Sequence, residues 1–240
     1  MSVADPSFSW QETLAAFAII AMAAFLVTWV LTDLLRIPRE PYIPMLLFVA
    51  LALGIGYLAW SGTSAADLSS SGVGWGLVAG LIAAAVAFPL VRRLPAHPHA
   101  TGTRLVGLML WEGLVYGIAE AVLLSTLPVL ALWQACVELG WTDGGWATIG
   151  SGVLAILGAL IVILVHHLGY VEFRTKAGRR ELFGALAVCG LQAIAFLATG
   201  SVLAPIVAHI VLHGQLLMRG DELPPAMPRG QRSRPRLGWA

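Results

Sequence analysis

The sequence predicts an all-α fold, a polytopic integral membrane bundle of about seven transmembrane helices, and three observations carry that prediction. Apolar residues make up 58% of the 240 positions and charged residues 11%, whereas an ordinary soluble domain holds about 45–50% and about 25%. Uncharged stretches of spanning length, roughly 18 residues or more, recur in series. The Lys and Arg residues are gathered into a few short segments between those stretches. No soluble core of 240 residues could take up this much apolar surface, so a soluble globular domain is excluded.

The elements follow in order. Twenty uncharged residues lie between Glu12 and Asp33, and further runs extend over 42–60, 75–91 and 144–165, each long enough to cross once. The stretch 182–218 holds 37 residues without a fixed charge. As one helix, at 1.5 Å per residue, it would reach about 55 Å, well beyond a hydrocarbon core of about 30 Å. Gly200-Ser201 and Pro205 interrupt it, which predicts two helices joined by a tight turn.

The stretch from Arg104 to Trp141 is too long for one crossing and short for two, and the placement of charge decides. The 14 Lys and Arg residues fall at Arg36 and Arg39, at Arg92, Arg93 and Arg104, at Arg174, Lys176, Arg179 and Arg180, and at Arg219 with the tail arginines. One crossing puts all four groups on the same side, which the positive-inside rule makes cytoplasmic. Two crossings throw the third group outside. The expectation is therefore seven spans in the cell membrane, an external N-terminus and a cytoplasmic C-terminus, with Pro128 as the bend in the long segment. The first dozen residues carry Asp5 and Glu12 and no Lys or Arg, unlike a cleavable signal, so the first span is expected to remain as an anchor.

Residues 1–218 read as a single transmembrane domain and 219–240 as a basic, Pro- and Arg-rich tail expected to be disordered and cytoplasmic. Membrane lipids are its expected partners, at roughly 1 kcal/mol per arginine near an anionic surface. Nothing points to nucleic acid. Cys136 and Cys189 sit in apolar text and read as small, buried, unpaired side chains. There is no repeat, no phosphate loop and no Cys-rich metal motif.

Function is sought in the ionisable residues that a membrane should have excluded. A charged side chain near the bilayer centre costs at least about 2.5–3.5 kcal/mol, so one that is kept faces a cavity, pairs with a partner or takes part in chemistry. The candidates are Glu112, Glu120, His166, His167, His209 and His213. Glu112, Tyr116 and Glu120 are spaced four apart, which lets Tyr116 hydrogen-bond either carboxylate. His166, at a helix end, is expected at the interface. His209 and His213 are also four apart, so their rings reach one side of a helix and can hold a metal ion or a water. Glu120, His167 and the His209/His213 pair fall on three different spans, and packing of those spans would bring one carboxylate and several imidazoles together.

These residues resemble a family. The run Thr199-Gly-Ser-Val-Leu-Ala-Pro-Ile-Val-Ala-His-Ile-Val-Leu-His213 is similar to the last motif of the CPBP family, the CAAX proteases and bacteriocin-processing enzymes, in which Gly-Ser, Ala-Pro and His-x-x-x-Asn recur. His209 takes the family histidine and His213 stands in place of Asn. The segment from Val162 to Tyr170 looks like the middle motif, with His167 as its histidine and Ile163 where the family prefers Phe. The first motif, Glu-Glu-x-x-x-Arg, is represented by Glu120 alone, with Ala121 and Ser125 in the other two places. The likeness covers about 105–218.

The resemblance implies an intramembrane endopeptidase that hydrolyses a peptide bond near the cytoplasmic face of the membrane. Glu120 would be the general base, and His167, His209 and His213 would position a water or a divalent metal such as zinc. Its substrate would be a peptide or membrane protein. Two alternatives stand beside this reading: a catalytically inactive relative that binds or protects a partner, and a transporter or proton-relay protein.

Overall fold

The computed structural model describes residues 9–68, 72–93 and 96–220. The tail beyond Gly220, on which the disorder expectation falls, and the first eight residues lie outside the described residues. Seven helices follow one another: α1 (Trp10–Leu34), α2 (Arg39–Ser61), α3 (Val73–Arg92), α4 (Gly102–Glu138), α5 (Gly145–Gly169), α6 (Lys176–Thr199) and α7 (Leu203–Met218). No strand occurs among the described residues. The first six are long and apolar enough to cross a membrane, and α7 is a shorter apolar helix of 16 residues. The chain is an all-α, multi-pass membrane bundle.

Local chemistry sets the boundaries. Ser9 caps α1 in a capping box, its hydroxyl accepting from the Glu12 backbone N–H while the Glu12 carboxylate accepts from the Ser9 backbone N–H. Pro38 precedes α2, and the turn leading to it holds Arg36 at φ 52°. Thr175 caps α6, accepting from the Gly178 N–H at 3.1 Å. Gly200, at φ 62°, ends α6 in the left-handed conformation that glycine adopts without penalty, and α7 starts three residues later. The stretch 182–218 is thus two helices joined by a tight turn.

The stretch from Arg104 to Trp141 is not split into two helices: one continuous helical path of 37 residues, Gly102–Glu138, runs through it. In α4, 78% of the most apolar window is buried inside the protein, against 22–39% in the other five long helices, so α4 is the central element. It is not a uniform α-helix. Two π-helical segments, Met109–Val115 and Ala121–Thr126, interrupt it, and α1 likewise ends in a π segment, Trp29–Leu34. Pro128, expected to mark the bend, falls in the first turn after the second π segment. Its missing N–H is therefore lodged where the α pattern is only restarting.

Contacts between helix ends identify two poles. At one, Asp33 pairs with Arg174 at 3.0 Å, and the His97 N–H donates to the Arg219 carbonyl at 2.7 Å. At the other, the Val202 N–H donates to the Leu68 carbonyl at 2.8 Å, beside the ends of α2 and α4. Large apolar side chains such as Phe48 (73% exposed) and Ile55 (67%) point outward, as suits a bundle whose outer solvent is lipid. Small residues bring α3 and α7 together: a Cβ on Gly80 would lie 2.6 Å from the Ala204 carbonyl oxygen.

Candidate functional site

Glu120 is 5% exposed, on the inner side of α4. Its Oε2 lies 3.2 Å from His213 Nε2 and 3.8 Å from His209 Nε2, both carried by α7, and its Oε1 lies 3.6 Å from His166 Nε2 on α5. One carboxylate thus meets three imidazoles from two other helices. One ligand atom each from Glu120, His209 and His213 fits within a 4.8 Å span, all three buried, which is compact enough to hold a cation.

Backbone irregularity makes this convergence possible. The π segments of α4 flank Glu120, and a π turn releases backbone groups from the i→i−4 pattern. Glu112, inside the first of them, presents its carbonyl oxygen to His213 Nδ1 at 3.2 Å. Gly169 serves α5 in a different way. A Cβ there would sit 2.6 Å from Thr28 Cβ, so only glycine lets the end of α5 approach α1 this closely. That approach places Thr28 Oγ1 at 2.9 Å and the Ala24 carbonyl oxygen at 3.1 Å from His166 Nδ1.

A carbonyl oxygen can only accept, so His213 Nδ1 donates to Glu112 O and His167 Nδ1 to Ile163 O at 2.8 Å. His166 Nδ1 lies between the Ala24 carbonyl and the Thr28 hydroxyl, so its ring has partners with the hydrogen on either nitrogen. In the neutral His213 ring the Nε2 atom carries a lone pair aimed at the Glu120 carboxylate, so acceptor faces acceptor. Such an arrangement is favourable only when a cation, a metal ion or a proton, is shared between them. A backbone acceptor on the far nitrogen is also what orients metal-bound histidines.

The sequence-predicted residues Glu120, His209 and His213 are brought together. His166 corrects an expectation: it is fully buried and touches Glu120, not interfacial. Its position at the end of α5 is covered by α1 across Gly169, a packing that helix position alone does not reveal. His167 is also buried, but its ring packs on His166, Tyr170 and Phe173, and it forms no ion pair with the Glu120 carboxylate among the described residues. Tyr116 bonds neither carboxylate. Its hydroxyl is 2.9 Å from that of Tyr170, which also meets Tyr42 at 2.8 Å.

Arg39, expected among the surface arginines, is 6% exposed. Its Nε lies 3.2 Å from the Glu112 carboxylate, and its guanidinium lies over the Tyr116 ring at 5.1 Å. Sequence reasoning counted Arg39 and Glu112 separately. The signal that could have joined them is a lone buried acid in α4 with no base nearby in its own span. Cys136 and Cys189 are buried and unpaired as expected, with the Cys189 sulfur 3.9 Å from His209 Nε2. No family model matches the chain, and neither a curated protein nor a solved structure matches it.

Proposed function

We propose that the chain is an intramembrane endopeptidase of the kind its motifs resemble, the CPBP family, acting on a peptide or membrane-protein substrate at the membrane face that bears its basic residues. The observation that carries this reading is Glu120 buried inside the bundle with three imidazole nitrogens at 3.2–3.8 Å. In the proposed orientation the N-terminus is outside the cell membrane, the C-terminus is cytoplasmic, and the site lies towards the cytoplasmic pole with Arg39 and Arg174. Fusions of compartment-sensitive reporters at Met1 and Ala240 are expected to report opposite sides. Both on one side would break the seven-span reading.

The two oxygens of Glu120 have different surroundings and suit different tasks. Oε2 faces His209 and His213, and these three residues would hold a divalent ion such as zinc. A bound ion there supplies Lewis acidity to a peptide carbonyl. Oε1, turned towards His166, is free to take a proton from an attacking water and return it to the leaving amine. The ring of His213 stacks on Tyr116 at 5.2 Å, which holds its Nε2 on line.

His213 replaces the family asparagine, a neutral hydrogen-bond donor. With Nδ1 spent on the Glu112 carbonyl, the neutral His213 ring offers Glu120 only a lone pair, so it suits a metal ligand and not a substitute donor. The His213→Asn variant tests the difference. Purified protein, incubated with a peptide library with and without chelator, is expected to lose cleavage on chelation and regain it with zinc, while the variant loses both metal and cleavage. An unaffected variant together with chelator resistance would remove the metal from the mechanism. Wild-type protein that binds zinc but cleaves nothing would sink the peptidase reading in favour of a partner-binding relative.

A further inference from the structure

The hydroxyls of Tyr42, Tyr116 and Tyr170 arrive from α2, α4 and the residue that follows α5, and all three side chains are buried. The Tyr42 and Tyr116 hydroxyls lie 2.8 and 2.9 Å from that of Tyr170, and Tyr42 also meets Thr28. When Tyr42 and Tyr116 both donate to the two lone pairs of the Tyr170 oxygen, every hydroxyl in the cluster is satisfied. The Tyr170 hydrogen is then left for the next acceptor, His166 Nε2, at 3.4 Å. Two donors into one oxygen also polarise its O–H and strengthen what it gives.

His166 can be satisfied in two ways. In the first, Nδ1–H donates to the Ala24 carbonyl and Nε2 accepts from Tyr170. In the second, the ring carries its hydrogen on Nε2 and donates to Glu120 Oε1, while Nδ1 accepts from the Thr28 hydroxyl, whose one hydrogen turns from the Ala24 carbonyl to the ring. The second arrangement occupies the carboxylate oxygen that a water must use. The first leaves it free.

We infer that Tyr170, backed by Tyr42 and Tyr116, is a positioning residue that holds His166 in the Nδ1–H form and so keeps Glu120 Oε1 open. The consequence for turnover rests on the peptidase reading. The consequence for the His166 tautomer does not.

The test uses full-length protein in lipid nanodiscs with ¹⁵N-labelled histidine, the His166 signals being assigned by their loss in His166→Asn. Wild type is expected to show a protonated Nδ1 and a hydrogen-bonded, unprotonated Nε2 at His166. Tyr170→Phe, which deletes one hydroxyl without changing the ring, is expected to move the hydrogen to Nε2. Adding Thr28→Val deprives Nδ1 of its only donor in the second arrangement, so the double variant is expected to return to the Nδ1–H form. Turnover should follow the tautomer: kcat lower by about tenfold in Tyr170→Phe with little change in KM, and partly recovered in the double variant. A purely structural role for Tyr170 predicts no such recovery, since a second buried substitution only adds damage. An unchanged His166 tautomer in Tyr170→Phe in folded protein would overturn the inference whatever the activity. Tautomer switching in a protein that cleaves nothing would leave the inference standing and discard the peptidase reading alone.

Discussion

Two buried polar clusters sit near opposite poles of the bundle, and they are built to opposite rules. Near the pole where α2 ends, the Tyr57 hydroxyl donates to Gln134 Oε1, the Gln134 amide donates to Thr63 Oγ1 at 2.8 Å, and the Ser61 hydroxyl donates to the same oxygen at 2.9 Å. Donors and acceptors match there. The cluster ties α2 and the turn after it to α4, and it has no appetite for a ligand. Around Glu120, by contrast, acceptor faces acceptor: the carboxylate meets the lone pair of His213. A satisfied buried network holds a fold together, whereas one short of protons is waiting for a proton or a metal ion.

This contrast can be broken most sharply by replacing the central polar side chain at each pole. Glu120→Gln keeps the shape, supplies donors to an acceptor-rich site and removes the base. Peptide hydrolysis is expected to fall by about 10²-fold or more while the melting temperature holds or rises. Gln134→Leu should do the reverse, costing about 1–3 kcal/mol by removing the acceptor of the Tyr57 hydroxyl and one donor to Thr63 Oγ1 while leaving kcat in place. Measured together by peptidase assay and thermal unfolding, equal losses of stability in both variants would erase the distinction.

Smaller effects sharpen it. Gly169→Ala puts a methyl group against Thr28, so α1 and α5 must part. A loss of about 1–3 kcal/mol is expected, with a fall in activity beyond what the stability change explains, because His166 loses its Thr28 and Ala24 partners. Smallest of all is Tyr57→Phe, which removes a single hydroxyl from the satisfied pole. About 1 kcal/mol of stability and no change in activity are expected, as read by denaturant unfolding and by turnover at saturating peptide.

How much of this was legible in the sequence follows the same divide. The helices were, because lipid demands uncharged runs and puts the basic residues between them, and the reading of the long central segment as one element followed from the placement of charge. Glu120, His209 and His213 were also legible, since a carboxylate in apolar text stands out and i, i+4 spacing gives one face of a helix. What stayed hidden depended on backbone detail. Adjacent residues on a helix point about 100° apart, and the motif resemblance drew attention to His167 while the packing of α1 across Gly169 gave the contact to His166. Arg39 read as one more surface arginine until its pairing with Glu112, inside a π segment, was seen. Tyr42, Tyr170, Tyr57 and Gln134 carry no fixed charge, so a search for misplaced charge passed over them.

One consequence concerns insertions and deletions. Helix α4 carries Glu120 into one cluster and Gln134 into the other, with the π segment Ala121–Thr126 between them. A π turn spaces its hydrogen bonds over five residues where an α turn uses four, so it is the form a helix takes when it absorbs one extra residue. Deleting a single residue from 121–126 would restore regular α-helix and leave the residues beyond it close to their present orientation, because the segment holds the one residue that its α form does not need. Gln134 would keep facing Thr63 and Tyr57. Deleting one residue from the regular helix that follows, within 127–133, would instead rotate Gln134 by about 100° relative to Glu120. The π segment is therefore the place where the central helix can change length by one residue.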